Sequence, residues 1–256
     1  NFISWSVPRL VVTNGYMRIP DGEPFALTVA GDMNLIGPSG ILWVVNGAIA
    51  CGGNLSLSGV GSALYLGNSP ALTNVQTLYC TGNVTMSTST YMYVYAAVTN
   101  DTQTNCGALV EAAGNMSLAN NAWIYPYSHM TNGGSPLFRF HNLSIAAGGG
   151  FNADGRGWRG GIGGNGLGPG RGGAVVASGG GGGYGGRGGN SEGGAAGGSP
   201  YGASNAPVHP GSGGGARTGY ATSTGGRGGG LVRIEAEDTI AIDGTITANG
   251  GIGNHG

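Results

Sequence analysis

Carboxylates are scarce in this chain, and where they gather limits the chemistry it could support. Four lie close together, Glu235, Glu237, Asp238 and Asp243 in RIEAEDTIAID. Two carboxyl groups at a fixed separation are the working parts of a glycoside hydrolase, one protonating the leaving oxygen while the other activates water or attacks the sugar. Arg233 precedes these acids, however, and an ion-paired turn cluster accounts for them equally well. Glu111 and Arg139 form the other tidy acid–base pair, of the type a polysaccharide lyase uses beside calcium-binding carboxylates. All ten basic residues are arginine, so no lysine base exists. His129, His141, His209 and His255 are spread without metal-ligand spacing. No glycine run opens a helix ahead of Lys-Ser/Thr, as a phosphate loop requires. The expectation is a protein that is not an enzyme and uses no cofactor or metal.

Cysteines and aromatics are the other reactive or adhesive groups. Cys51 and Cys80 occupy the same place in successive repeats, which sets their Cα atoms about 5 Å apart, within disulfide range. Parallel side chains make the torsion awkward, and two buried free thiols fit as well; Cys106 is left over. The segment YMYVY, residues 91–95, sends Tyr91, Tyr93 and Tyr95 to one face if it is a strand, and Met92 and Val94 to the other. With Trp43, Tyr65, Trp123, Tyr125 and Tyr127 these tyrosines make an aromatic stripe too large to be left in water without consequence. A stripe of this kind suits a sugar-binding platform. Cover by another part of the chain or by a second copy is the preferred reading, because rigid aromatics are favoured at interfaces.

These groups need elements to hold them. One short phrase recurs along the first half: GDMNL, GNLSL, GNVTM, GNMSL and HNLSI. Its marker residues, Asp32, Asn54, Asn83, Asn115 and Asn142, are 22, 29, 32 and 27 residues apart. Repeats of this length, with alternating strands around a fixed turn residue, are the signature of a solenoid. Three strands per repeat describe a right-handed parallel β-helix. Its inward columns would be Leu35/Leu57/Met86/Leu118/Ile145 and Leu42/Leu64/Met92/Ile124, with a column of small residues at Cys51, Cys80 and Ala112. The asparagines read as a structural ladder, since Asn tolerates left-handed backbone and its amides can bond along a stack. Four of them also begin N-x-S/T sequons, but Asn100, in a loop, is the better candidate for glycosylation.

From residue 148 to 230 the texture changes to runs such as GGGFNADGRGWRGG and GGGGGYGGRGGN. Glycine supplies 59 of the 256 residues overall. Two packings would order such a segment: polyproline-II-like chains bundled side by side, or a winding over the solenoid. Phe151, Trp158, Tyr184, Tyr201 and Tyr220 would anchor it, with Arg156, Arg159, Arg171, Arg187 and Arg227 as donors to carbonyls or aromatic faces. The expected division is an N-terminal strand segment at 1–24, β-helix rungs at 25–147, the glycine-rich insertion at 148–230 and a final rung at 231–256.

The run GGGYGGRGG, HPGSGGG and GGRGGGLVRIEAEDTIAIDGTITANGG resembles glycine-rich β-helix regions of large bacterial and archaeal surface proteins of the adhesin or fibre type. The glycine-rich block is also similar, more loosely, to polyglycine bundles of phage tail-fibre adhesins. That resemblance implies a surface or fibre role and brings no catalytic motif.

Charged residues make up only 8% of the chain and the net charge is −1, which gives no footprint for nucleic acid or an anionic membrane. No apolar run reaches the length of a membrane span. The start at Asn1 suggests a removed leader or pro-segment and a secreted or surface-displayed product. Neither the first strands, with Ile3, Trp5 and Val7 in alternation, nor ITANGGIGNHG at the other end reads as a polar cap. The expected role is a filament or fibre subunit joined to copies of itself through the solenoid ends and the stripe. A monomeric glycan-binding adhesin is the alternative, and a polysaccharide-degrading enzyme ranks third.

Overall fold

The structure, a computed structural model, describes residues 3–19, 22–68, 74–98, 106–203 and 205–254. Two compact units are present: Asn1–Tyr125 with Pro136–Asn152 and Arg233–Ile246, and Pro126–Ser135 with Ala153–Val232 and Thr247–Gly256.

The first unit is a parallel β-helix whose three sheets each contain seven strands. The first sheet stacks β1 (Ser4–Val7), β4 (Phe25–Val29), β7 (Gly47–Cys51), β10 (Gln76–Cys80), β13 (Ala108–Ala112), β16 (Pro136–Phe140) and β21 (Ile234–Ala236). The second stacks β2 (Leu10–Thr13), β5 (Met33–Ile36), β8 (Leu55–Ser58), β11 (Val84–Met86), β14 (Met116–Leu118), β17 (Leu143–Ile145) and β22 (Ile240–Ile242). The third runs β3 (Tyr16–Ile19), β6 (Ile41–Val44), β9 (Ala63–Leu66), β12 (Tyr91–Tyr95), β15 (Trp123–Tyr127), β18 (Gly150–Asn152) and β23 (Thr245–Thr247). Each turn of chain contributes one strand to each sheet, so the backbone of every coil bonds to the coils on either side.

Alternation drives the strands. Apolar residues at every second position fill the interior, while small, polar and, on the third sheet, aromatic ones face out. Leu35 pairs with Leu57, Leu57 with Met86, Met86 with Leu118 and Leu118 with Ile145, one of the columns expected above. Met92 and Val94 are fully buried, so the tyrosines of that strand do point outward. Cys51, Cys80 and Ala112 stack as the small column, but Phe140 then follows between Ala112 and Ala236.

Left-handed backbone does not fall where the asparagine reading placed it. Among the described residues, the non-glycine residues with positive φ are Asn14, Ser39, Ser89 and Asn121, all at the turn between the second and third sheets, and no ladder asparagine is among them. The left-handed residue thus serves the turn between the second and third sheets, while the ladder residues serve through their side-chain oxygens, which accept the backbone amide of the next coil.

The boundaries also differ from the expected division. The N-terminal strands β1–β3 are already a complete first coil, in register with the next. Phe151 is not an anchor of the glycine-rich block. It sits in β18, fully buried, 5.1 Å from the Phe138 ring. A strand reading Gly-Phe-Asn carries too few side chains for its alternation to show. At the other end the coil stops at Thr247, and residues 248–254 run with the glycine-rich unit.

That second unit has one short hairpin, β19 (Ala174–Val175) with β20 (Ser178–Gly179), and otherwise almost no regular strand. Its backbone bonds close in triangles. Gly161 donates to Gly214, Gly214 to Gly226 and Gly225 back to Gly161, all at 2.9 Å. A second triangle joins Gly181 to Gly189, Gly188 to Gly198 and Gly198 to Gly181. Close approaches recur every third residue: side chains at Gly225 and Gly228 would run into the carbonyls of Gly214 and Gly211, and at Gly180 and Gly183 into those of Ala196 and Ser199. Three-residue spacing, with bonds made mainly between segments, is the geometry of bundled polyproline-II chains, in which glycine alone fits the contacts. Within this unit Trp158 lies against Gly133 and Gly168, which have φ of +80° and +100°. Tyr184 and Tyr201 meet edge to face at 5.1 Å. The Tyr201 hydroxyl donates to the Pro210 carbonyl, and burial pushes its pKa up.

Candidate functional site

The outer surface of the solenoid carries three ladders, each one residue deep per coil. The asparagine ladder is continuous. Asp32 Oδ1 accepts the amide of Asn54 at 2.8 Å, Asn54 Oδ1 that of Asn83 at 2.9 Å, and Asn83 Oδ1 that of Asn115 at 2.8 Å. Asn142 Nδ2 donates to Asn115 Oδ1, and Asn142 Oδ1 accepts the amide of Thr239, which takes the ladder position in the last coil. The glycine of each phrase has its own reason. A side chain at Gly53, Gly82 or Gly114 would collide with the carboxamide or carboxylate oxygen of the coil before it. The phrase Gly-Asn is thus a hydrogen-bond module. Asn100, the other glycosylation candidate, lies outside the described residues.

The aromatic ladder occupies the third sheet. Trp43 and Tyr65 have ring centroids 5.4 Å apart, Tyr65 and Tyr93 stack at 4.4 Å, and Tyr93 and Tyr125 stack at 4.8 Å. Tyr91 sits beside this column, 6.5 Å from Tyr93, while Tyr95 and Trp123 are half-buried in the same two strands. Tyr127 belongs to the other unit, where Arg156 lies over its ring at 4.8 Å. Sequence reasoning missed the start of the ladder. Arg18 pairs in register with Trp43 and holds its guanidinium 5.0 Å from the indole. The signal was there, since Arg18 stands in YMRI where Trp43 stands in ILWV. The rings of Tyr65, Tyr93 and Tyr125 spend their faces on one another, whereas a sugar platform needs open faces.

The charged ladder is on the first sheet. Arg139 Nε donates to Glu235 at 2.7 Å, Arg233 donates to the other oxygen of Glu235 at 2.8 Å, and Glu111 lies 3.8 Å from Arg139. Glu111, Arg139 and Glu235 line a groove with Glu237, whose carboxylate is 3.2 Å from the His141 ring. Arg139, with Arg233 behind it, holds the Glu235 carboxyl below its ordinary value, and Glu235 in turn raises the arginine. A glutamate kept ionised is suited to an ion pair, and a general acid needs the opposite shift.

Cys51 and Cys80 are free thiols, as is Cys106, and all are buried. The possible disulfide is absent. The two side chains leave adjacent strands in parallel and turn to backbone carbonyls, Cys80 Sγ to Gly53 at 3.0 Å and Cys51 Sγ to Gly31 at 3.4 Å. The neighbouring Cys51 thiol, with burial, pushes Cys80 up, while the Cys80 thiol brings Cys51 down to about 7.

The two ends of the stack complete the picture. At the start, Trp5 pairs with Leu27 and Val7 with Val29, so both belong to inward columns, and both are half-buried. Ile3, just before the strand, is exposed. At the far end, Ile240 and Ile242 continue the inward columns of Leu143 and Ile145, yet they are 47% and 44% exposed. Ile246 is 39% exposed. The strands β21, β22 and β23 are the outermost of their sheets, with one edge of each unpaired among the described residues.

Among the described residues no group of three or more metal-binding side chains occurs, and no helix is long and apolar enough to cross a membrane. Compared with known proteins, the chain matches no family model, no curated protein and no solved structure.

Proposed function

We propose that the protein is a structural subunit of an extracellular filament or surface fibre, joined to copies of itself through the ends of its solenoid. The observation that carries this reading is the last coil. Among the described residues it leaves one edge of each of three strands unpaired, and it exposes isoleucines whose counterparts one coil earlier are core residues. Open edges template further pairing, and apolar surface of this kind is covered by a partner in working proteins. A contact between two different ends, stacked along the solenoid axis, does not close on itself and so propagates as a fibre. The charge-poor surface and the resemblance to adhesin and fibre regions support an extracellular setting. The outward ladders suit a stiff rod, because each ties a coil to its neighbours independently of the core.

Negative-stain electron microscopy of the purified protein over a concentration series tests this. Linear assemblies that lengthen with concentration are expected. Monodisperse single particles at every concentration overturn it.

A further inference from the structure

The two ends of the solenoid carry opposite charge, and the coil register dictates which residues would meet. The first three strands, residues 3–19, contain Arg9 and Arg18 and no acid, with Asp21 and Glu23 following them, whereas residues 233–247 contain four acids against one arginine. Resting on the fibre reading above, we infer that the first coil of a second copy adds to the last coil in unbroken parallel register, with its Arg9 set against Glu237 and Asp238.

The register follows from the columns. Val7 heads the column that runs through Val29 and Cys51 and ends at Ala236. Leu10 heads the column that begins with Met33 and ends at Ile240. Continuing the stack by one coil therefore sets Val7 of the second copy on Ala236 and Leu10 on Ile240. The turn between them, Pro8 and Arg9, then lies over the turn Glu237, Asp238 and Thr239. Arg9 and Asp238 are exposed, and the Glu237 side chain is 80% exposed, so both sides of this contact are accessible in the single chain.

Charge also decides polarity. Two first coils facing each other would bring arginine to arginine, and two last coils would bring acids together. Only the head-to-tail arrangement is attractive, so every copy in the fibre points the same way. Complementary charge of this sort sets register and rejects wrong pairings more than it adds affinity.

The test uses the whole chain in three forms: wild type, Arg9→Glu, and Glu237→Arg combined with Asp238→Arg. Elongation is followed by light scattering and electron microscopy at low salt, with circular dichroism to verify folding. Wild type should elongate, and tenfold more salt should slow it. Each variant alone should elongate at least ten times more slowly, and an equimolar mixture of the two should recover most of the rate. Recovery in the mixture also proves that both variants are folded. If wild type elongates and both variants elongate just as fast, the proposed register and its charge contact are overturned while the fibre reading stands. If neither variant elongates and mixing restores nothing, the register is likewise overturned. Wild type that stays monomeric at every salt concentration overturns the fibre reading itself, and this inference with it.

Discussion

The carboxamide oxygen of Asn54 accepts the backbone amide of Asn83 at 2.9 Å, and the bond is possible because Gly82, the residue before, has no side chain to obstruct it. A Cβ at Gly82 would stand 2.5 Å from that oxygen and 2.7 Å from the Gly53 carbonyl. Gly82→Ala should therefore destabilise the solenoid by about 1–3 kcal/mol, the usual cost of forcing atoms into a packed site. Gly22→Ala, which meets nothing within 4 Å, is the matched control and should change little. Denaturant midpoints of the two variants settle the comparison.

Stacked rings should be energetically coupled. A double-mutant cycle on Tyr65 and Tyr93, whose planes are 5° from parallel, is expected to give about 0.5–1.5 kcal/mol of coupling. If the column were instead a sugar platform, Tyr93→Ala would abolish binding on a glycan array with the fold intact. No binding is expected from wild type, because the ring faces are already occupied.

Acid should loosen the last coil first. Arg139 and Arg233 hold the Glu235 carboxyl below the ordinary glutamate value of 4.5. Its contribution is therefore complete above that value and is lost as pH falls through the depressed one. The pair is part exposed, so the effect is modest, on the order of 1 kcal/mol or less. Glu235→Gln should remove this part of the acid dependence of stability and leave stability near neutral pH only slightly lower.

Thiol chemistry reports the core. Cys51, Cys80 and Cys106 are each no more than 1% exposed. A thiol reagent should label none of them in the native state at neutral pH and all three after unfolding. Fast native labelling of Cys51 would show that its lowered pKa matters more than its burial.

In the glycine-rich unit the sensitive positions follow the three-residue pattern. Gly160→Ala would drive a methyl group into the Gly225 carbonyl, whereas Gly186→Ala meets nothing within 4 Å. Hydrogen exchange should show the first variant losing protection across the bundle and the second resembling wild type.

The solenoid was legible because its signal repeats. Leu57, Met86 and Leu118 hold one offset from Asn54, Asn83 and Asn115, and side chains at fixed offset in a stacked fold must share a column. Arg18 escaped notice because the first coil lacks the Gly-Asn phrase that marks the register elsewhere. Phe151 was misplaced because a strand of Gly-Phe-Asn looks like its glycine-rich surroundings. Nor could composition choose between a wrapped segment and a bundle. That choice lies in which carbonyl each glycine amide reaches, and side-chain patterning says nothing about it.

The triangular bonding of the glycine-rich unit has a consequence for how its length can vary. Contacts between its chains recur at every third residue, so losing one or two residues rotates everything downstream out of phase and points side chains at backbone. Removing three restores the phase after a single local defect. The bundle thus has something like a reading frame, enforced by steric exclusion, and length changes in its straight segments should survive only in multiples of three.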